Sequence, residues 1–392
     1  MTATYAGNRT VYDADSHIME TYEMVAPHAD DELRAVLQGW ANGPAGAPAR
    51  AGQEEAKRRA SDPAEWDSAV PELMTRKLWA GLGSFDAGER SRALDLLGFE
   101  AQLVFGTLNL FLCNSAPRVA PGPVQYRRAR AFNAAMAEFC RHDPRLIGVA
   151  NVPLFDPDLA RAEAEQALSD GCGAIMITTT PHPDGLSVSH PDFDPFWDLL
   201  EDADVPFVLH VGINLGPTGG HDFVPAAFRR NGHDRQRISG GEGQLIDHLG
   251  YLTLGTGPSL CLGVMALEGV FMRHPRLRGA CAEQGAVWVP SWLRQLDLAH
   301  TLSRRVHPDL PELEMKPSDY IRRHVKFTPF VGEPVGWIID QVGPEMLLFS
   351  SDYPHTEGGT DPIRVFDATM DGVGEEARHK FYAGNLRELL KL

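Results

Sequence analysis

The stretch DADSHIMET, residues 13–21, places three acids and a histidine directly after the apolar-aromatic pair Val11-Tyr12. Asp15 and His17 are one residue apart, so on a strand they would project from the same face, about 7 Å from each other. Both side chains could then reach one metal ion. A polar strand terminus, with Asp15 capping the next turn, explains the same residues equally well.

Two further candidate ligands follow apolar runs far downstream. His210 closes the run PFVLH, and Asp352 comes just after LLFSS, three residues before His355. Each has a structural alternative, because a histidine can be a satisfied core residue and an aspartate can cap a helix. Two imidazoles and two carboxylates suit one divalent ion, with zinc favoured and Mn, Fe or Co open.

The fold decides whether these four residues can meet. Short apolar runs alternate with amphipathic stretches, which is typical of parallel strands joined by crossover helices. The runs begin at Val11 and cover 102–105, 146–150, 173–177, 206–210, 277–281, 325–328 and 346–350. Helices are predicted over 125–141, 157–169, 194–202, 258–273, 290–304, 334–342 and 362–370. Eight strands favour a closed α/β barrel, the (β/α)8 TIM barrel, over an open sheet, and the ends of strands 1, 5 and 8 would share its mouth.

Two segments interrupt this rhythm within a single predicted domain, residues 1–392. Residues 28–80 are rich in Ala, Gly, Pro and charge and predict a cap-like insertion after strand 1. Asn214 to Gly257 form a long loop after strand 5, and such connections are usually functional or disordered. From this loop Arg229 and Arg237, within a cluster of four arginines, could clamp a carboxylate, although a solvated loop explains most of these arginines.

Composition limits the possible partners. The chain has 36 basic and 53 acidic residues and a net charge of −17, which opposes binding to nucleic acid or anionic lipid. The five cysteines are scattered and show no CxxC spacing, so a thiolate zinc site is not indicated. No signal peptide and no apolar run of about 18 residues is recognisable, so we expect a soluble cytoplasmic protein.

Longer motifs resemble a known family. They are DADSH at 13–17, HPDFDPFWDLLEDADVPFVLHVG at 190–212, GVFMRHPRLRGACAEQGAVWVPSWLRQLD at 269–297 and FSSDYPHTEG at 349–358. The chain is similar in these motifs to the amidohydrolase-related family that includes aminocarboxymuconate semialdehyde decarboxylase and the resorcylate-type decarboxylases. The resemblance covers the first strand and nearly everything beyond residue 90.

The resemblance implies a metal site at Asp15, His17, His210 and Asp352 and a homodimer or larger homo-oligomer. Many relatives have a histidine at the end of strand 6, where this chain has Glu283. Glu283 would therefore act as a general base or hold the substrate, unless it forms a buried structural salt bridge. His248 or His300 could supply the missing imidazole.

The implied reaction is the non-oxidative decarboxylation of a small aromatic or conjugated carboxylic acid. Asp352 or His355 would give a proton to the ring carbon as CO2 leaves. A hydrolase of an amide or lactone, or a hydratase, remains open, because a metal-activated water could lose its proton to Asp352 on the same scaffold.

Aromatic residues could wall the pocket for such an acid. Trp288, Trp292 and Phe330 follow predicted strands 6 and 7. Core packing is the commoner role for each of them, and a pocket would need them near the barrel mouth.

A dinucleotide-dependent oxidoreductase is not indicated. Such an enzyme needs a glycine fingerprint between its first strand and helix, followed by an acid about twenty residues later. Gly255-Thr256-Gly257 lacks that context.

Overall fold

The computed structural model describes residues 4–60, 70–114, 123–179, 185–211, 248–304, 306–308 and 310–392. Arg229 and Arg237 lie outside these residues. The central sheet has seven parallel strands paired in sequence order: β1 Tyr12–His17, β2 Ala101–Phe105, β3 Leu146–Val152, β4 Ala174–Ile177, β5 Phe207–His210, β6 Gly279–Ala282 and β7 Val325–Phe327. Parallel neighbours require crossover connections, and helices supply them.

The prediction of a regular eighth strand over residues 346–350 is wrong. The segment nevertheless lies where that strand was expected. Its backbone pairs with both edges of the sheet: the Leu348 N–H donates to Phe327 O at 2.9 Å, and the Ala14 N–H donates to Phe349 O at 2.9 Å. The ladder stays short because the Leu347 carbonyl accepts the side-chain amide of Asn385 at 2.7 Å instead. The segment nevertheless closes the sheet into a barrel.

The helices that the structure describes lie around this barrel. They are α1 Tyr22–Val25, α2 Asp31–Asn42, α3 Ala47–Ala60, α4 Ala87–Leu97, α5 Leu108–Asn114, α6 Pro123–Cys140, α7 Pro157–Asp170, α8 Asp194–Ala203, α9 His248–Thr253, α10 Thr256–Leu267, α11 Val270–Arg273, α12 Val289–Ser303, α13 Pro317–His324, α14 Val335–Val342, α15 Pro362–Ala368, α16 Glu375–His379 and α17 Asn385–Leu390. The single helix predicted over 258–273 is wrong. Gly269, with φ of 80°, separates α10 from α11.

Strand residues alternate between two apolar layers. In β4, Ala174 and Met176 face the barrel interior, whereas Ile175 and Ile177 pack under the helices. Leu386 and Leu389 of α17 join the interior cluster. The C-terminal helix therefore fills one end of the barrel and leaves the other end for the polar side chains.

One stretch, Leu249–Leu267, is apolar and long enough to cross a membrane, with a mean hydropathy of 1.3, although the sequence predicts no such span. It comprises α9 and α10 with a break between them, and half of it is buried inside the protein.

The predicted insertion, residues 28–80, contains α2, α3 and the short 3-10 turns Val70–Glu72 and Leu78–Ala80 among its described residues. The second turn touches the barrel. The Leu78 N–H donates to Pro354 O at 2.8 Å, two residues beyond Asp352. The insertion therefore reaches the mouth at which the candidate ligands lie.

Candidate metal centre

Strand β1 delivers the first two candidate ligands. Asp15 and His17 are fully buried, and His17 Nε2 lies 3.3 Å from Asp15 Oδ1. The pairing of β1 with β2 shifts register between Asp13 and Ser16, an irregularity of the kind that redirects side chains near functional sites. The structure therefore places Asp15 and His17 on the same face of the strand, as their spacing predicts.

His210, at the end of β5, adds a second imidazole. Its Nε2 is 3.4 Å from Asp15 Oδ1 and 3.6 Å from Glu283 Oε2. Its Nδ1 lies 2.8 Å from Val211 O, a carbonyl that can only accept, so Nδ1 carries the proton. In the neutral ring the Nε2 lone pair then faces two carboxylates. That arrangement requires a cation or a proton between them.

Glu283 follows β6 in the left-handed region, with φ of 52°. Its N–H donates to Thr328 Oγ1 at 2.8 Å, which fixes the backbone just beyond β7. Burial, together with the charges of Asp352 and Asp15, raises the pKa of Glu283 well above its ordinary value. Glu283, which stands where many relatives have a histidine, therefore belongs to the same cluster as Asp15 and His210.

Asp352 comes from the segment that closes the barrel. Its N–H donates to Asp15 O at 2.8 Å, and its Oδ1 is 3.4 Å from His17 Nε2. The residue has φ of 52°, a strained conformation of the kind found at functional sites. The following loop folds back so tightly that a Cβ on Gly358 would lie 2.0 Å from Ser351 O, so only glycine fits there.

His355 lies beside Asp352 and over His17. Its ring stacks on that of His17 at 3.7 Å, and its Nδ1 is 3.4 Å from Asp352 Oδ1. Its Nε2 is 2.9 Å from Thr107 Oγ1, whose own hydrogen goes to Ile18 O at 2.9 Å. His355 Nε2 must therefore donate, and a proton is shared between Nδ1 and Asp352.

The pKa values of this pair agree with a shared proton. Burial raises the pKa of Asp352 to about 6. Burial opposes charge on His355, but the Asp352 carboxylate outweighs it and raises the pKa of the imidazole. The two groups together thus retain one proton near neutral pH, and in such a pair the proton belongs to both.

The cluster fits a divalent cation. Ligand atoms of Asp15, His17, His210 and Glu283 all lie within 4.8 Å of one another, and Asp352 adjoins them through His17. Asp15 Oδ2, His17 Nε2 and Asp352 Oδ2 are buried without a hydrogen-bond partner in the described part of the chain.

The protonation states of His17 and Asp15 also support a site for a divalent cation. Burial, and repulsion from His355, lower the pKa of His17 to about 3, so its imidazole is neutral, the form that binds metals. For Asp15, attraction to His210 and His17 outweighs burial and holds the pKa well below its usual range. Asp15 is therefore an anion at neutral pH, and buried groups of this kind are paired or coordinate a metal.

Two of the three predicted aromatic residues line a different cavity. Trp288 and Trp292 border a cleft of about 410 Å³ together with Tyr251, and none of the candidate ligands lines it. Phe330 is buried, with its ring 6.0 Å from that of Tyr251. Their substrate-binding role stays a prediction.

Of the two proposed substitute imidazoles, His300 does not join the described cluster. His300 lies on α12, and none of the metal-competent groups in the described part of the chain includes it. The side chain of His248 lies outside the described residues.

Three residues of the site were not predicted from the sequence. Thr107 binds His355, Glu357 lies with Glu283 and Asp352 in a carboxylate group, and Lys77 interacts electrostatically with Asp352 and Glu357. Glu357 stands in the quoted motif FSSDYPHTEG, so proximity along the chain could have identified it. Lys77 and Thr107 carry no local signal, because tertiary contacts alone bring them to the mouth.

Curated proteins of known activity resemble the chain over most of its length. A gamma-resorcylate decarboxylase from Rhizobium sp. is 27% identical over 338 residues, which cover 83% of this chain and 96% of that protein. Among solved structures, an amidohydrolase from Mycobacterium avium subsp. paratuberculosis has a TM-score of 0.69 at 21% identity, covering 98% of this chain and 99% of the other.

A second solved structure carries a metal. It is the 5-carboxyvanillate decarboxylase from Novosphingobium aromaticivorans, complexed with manganese and 4-hydroxy-3-methoxy-5-nitrobenzoic acid. It has a TM-score of 0.64 at 20% identity and covers 100% of this chain and 99% of the other. At these identities the structural likenesses establish the barrel fold. The amidohydrolase family model matches residues 12–392, and the chain therefore belongs to the amidohydrolase family.

Proposed function

We propose that the protein is a metal-dependent decarboxylase of a small aromatic acid that carries a hydroxyl group beside its carboxylate. The observation that carries the proposal is the buried cluster of Asp15, His17, His210 and Asp352 beside His355, in which Asp15 Oδ2, His17 Nε2 and Asp352 Oδ2 have no hydrogen-bond partner among the described residues. The gamma-resorcylate decarboxylases among its relatives favour this chemistry over other reactions of the same barrel.

Asp15, His17, His210 and Asp352 would hold the ion. When bound, a divalent metal orients the substrate and withdraws electron density from its oxygens. Zinc is favoured by the sequence, but the two carboxylates among these four ligands are hard donors that suit manganese as well. Manganese in the carboxyvanillate decarboxylase supports including it.

Residues of the chain would donate the proton that replaces the carboxylate. The bond between the ring carbon and the carboxylate breaks, CO2 leaves, and the bonding electron pair stays on the ring carbon. The Asp352–His355 pair, whose Oδ1 and Nδ1 atoms lie 3.4 Å apart, would supply a proton to that carbon. Thr107 keeps the His355 ring oriented, and water restores the proton afterwards.

Glu283 would act beside Asp352, since ligand atoms of Glu283, Asp352 and Glu357 lie within 4.8 Å of one another. Its raised pKa makes the protonated carboxyl available near neutral pH, so it can donate a hydrogen bond to a substrate oxygen. Burial at 8% exposure restricts this role to a ligand that enters the mouth. Replacement of Glu283 by Gln would preserve that hydrogen bond and remove only the ionisable proton.

Hydrolysis of an amide or lactone is the alternative. Asp352, with a pKa raised to about 6, could accept a proton from a water molecule in the same cluster. Hydratase chemistry would use the same base.

A substrate panel separates these reactions. Protein loaded with manganese or with zinc would be incubated with hydroxybenzoic, aminobenzoic and muconate-type acids, with CO2 measured, and with amides and lactones, with acid release measured. We expect CO2 from at least one ortho-hydroxybenzoic acid and loss of that activity in Asp352→Asn. The exposed Asp340 provides the matched control Asp340→Asn, which should keep wild-type activity. Acid release without CO2 from any compound would contradict the decarboxylase proposal.

Other features belong to this proposal as well. Arg229 and Arg237 would contact the substrate carboxylate, residues 28–80 would form a cap-like insertion and the loop after β5 would border the site. The whole chain would form one cytoplasmic domain that assembles into a homodimer or larger homo-oligomer. Sedimentation at several concentrations would test the assembly.

A further inference from the structure

Lys77 is a cation at the barrel mouth whose Nζ has no hydrogen-bond partner among the described residues. This nitrogen is buried. It stands directly before the 3-10 turn Leu78–Ala80, at the point where the chain returns from the predicted insertion. A buried ammonium group without a partner costs free energy, so its retention at this position needs an explanation.

The fold holds Lys77 in place through strained and tight contacts. Leu78 adopts φ of 54°, which is unfavourable for a branched side chain, while its N–H donates to Pro354 O at 2.8 Å. Gly81 approaches the same proline so closely that an added Cβ would lie 2.7 Å from Pro354 Cβ. Trp79 Nε1 donates to Glu20 O at 3.4 Å. The backbone on both sides of the turn is thus attached to the barrel.

The charged groups that interact with Lys77 show that it lies near the candidate metal centre. The described groups that attract it electrostatically are Asp352 and Glu357. Burial lowers the pKa of Lys77 to about 8, against the opposing effect of these two carboxylates, so the ammonium is charged at neutral pH. Neither carboxylate approaches closely enough for a hydrogen bond to Nζ, which leaves its donors available.

We propose that Lys77 binds the carboxylate of the substrate and makes the predicted insertion a determinant of acid recognition. A protonated amine donates hydrogen bonds and cannot ligate a metal ion, so its missing partner is a hydrogen-bond acceptor, and an anion gains most from the positive charge. The inference rests on the proposed function for the identity of that anion, because a hydroxybenzoate would bring its carboxylate to the same mouth as Asp352.

Lys77 would act in binding rather than in the chemical step. As CO2 leaves, negative charge moves from the carboxylate into the ring, so the attraction to Lys77 does not increase in the transition state. Interactions that do not strengthen in the transition state lower KM without raising kcat. Loss of Lys77 should therefore raise KM strongly and change kcat little.

A comparison of an acid with its neutral counterpart tests the proposal. Stopped-flow tryptophan fluorescence would follow binding of 2,6-dihydroxybenzoate and of 2,6-dihydroxybenzamide to the metal-loaded protein before turnover. Lys77→Met should weaken binding of the acid by about 10- to 100-fold, the usual range for a charged hydrogen bond, and leave the amide within about twofold. Lys77→Arg should restore most of the acid binding, since it keeps the charge.

Lys57 provides the matched control, because it lies in the same predicted insertion with its side chain 72% exposed. Lys57→Met should bind both ligands like the wild type. If Lys77→Met binds the acid normally, or loses acid and amide equally, the proposal is overturned. Metal content and melting temperature equal to wild type would exclude misfolding as the cause. Acid binding that depends on Lys77 without any CO2 release would leave this inference intact while contradicting the proposed decarboxylation.

Discussion

Asp352 connects the candidate metal ligands with the proton-holding pair. One carboxylate oxygen, Oδ1, lies 3.4 Å from His17 Nε2 and also 3.4 Å from His355 Nδ1. A metal ion and a proton would therefore compete for the same carboxylate. This competition gives the residue a measurable signature that does not depend on knowing the substrate.

Metal affinity should depend on pH with a definite sign. The pKa of Asp352 is raised to about 6, so a proton occupies this carboxyl group at lower pH and must leave when metal binds. We expect affinity for Mn²⁺ to fall by about tenfold per pH unit, for each proton displaced, below about pH 6. Calorimetry or chelator competition between pH 5 and 7.5 measures this.

Asp352→Asn provides the comparison, because an amide at this position has no proton to lose. Its metal affinity should be weaker at pH 7 and less dependent on pH than that of the wild type. An affinity for Mn²⁺ in the wild-type protein that stays constant from pH 5 to 7.5 would contradict the assignment of Asp352 as a ligand.

The site residues themselves could be predicted only in part. Asp15, His17, His210 and Asp352 were identified because each stands at the end of an apolar run, and strand ends share one edge of a barrel. Lys77 could not be predicted. It does not follow an apolar run, and its approach to Asp352 follows from the Leu78–Pro354 hydrogen bond, which joins segments 276 residues apart.

At the scale of elements, a buried polar network joins β1, β2 and the barrel-closing segment. Asp13 accepts hydrogen bonds from Gln102 Nε2 at 2.7 Å and from Ser351 Oγ at 2.6 Å. Gln102 in turn accepts from Arg90 Nε at 3.1 Å, and Arg90 also donates to His17 O at 3.1 Å. The strand that carries Asp15 is thereby linked to the segment that carries Asp352.

Removal of one hydrogen-bond donor from this network should lower the free energy of unfolding. Ser351→Ala deletes a hydrogen bond to a fully buried carboxylate, and leaving such a group less satisfied costs about 1–3 kcal/mol. Urea unfolding of the metal-free protein measures the change in the free energy of unfolding. Ser291→Ala, at an exposed position on α12, should stay within about 0.5 kcal/mol of the wild type. Equal stability of the two variants would show that Asp13 does not depend on Ser351.

Element boundaries were predictable where the apolar pattern was regular. The helix predicted over 157–169 is Pro157–Asp170, because proline at its start and Gly171 at its end mark both limits. The segment 346–350 was predicted as a strand from its apolar residues alone. Its short pairing depends on Asn385, 38 residues away from Leu347, which the local pattern does not contain.

At the scale of the whole molecule, helices of the predicted insertion, residues 28–80, pack against the 3-10 turn Leu78–Ala80, which directly follows Lys77. Gly52 of α3 faces Trp79 so closely that an added Cβ would lie 2.4 Å from Trp79 O. Trp79 also contacts Trp40 of α2, with ring centroids 6.1 Å apart. The position of Lys77 at the mouth therefore depends on helices far from the metal ligands.

A methyl group on α3 should consequently alter the distant site. Gly52→Ala forces Trp79 away, an overpacking cost of about 1–3 kcal/mol, and should weaken binding of 2,6-dihydroxybenzoate while metal content stays unchanged. Gly39→Ala on α2 is the matched control, since its added Cβ meets nothing within 4 Å. Unfolding and fluorescence titration measure both effects. If the two variants bind the acid alike, Trp79 does not position Lys77.

The barrel itself was predictable because its signal repeats along the whole chain. Alternating strands and helices constrain the topology even where one strand is irregular. The packing of 28–80 was not predictable, since a stretch rich in Ala, Gly, Pro and charge does not indicate which of its faces contacts the barrel.

Isotope incorporation tests the proposed decarboxylation most directly. The metal-loaded protein would convert carboxyl-labelled 2,6-dihydroxybenzoate in D2O, and both the released gas and the phenol would be examined by mass spectrometry and NMR. The proposal predicts one labelled CO2 per turnover and one deuterium at the ring carbon that lost the carboxylate, with both lost after chelation of the metal. Retention of the carboxylate label in the product, or release that continues after the metal is removed, would contradict it.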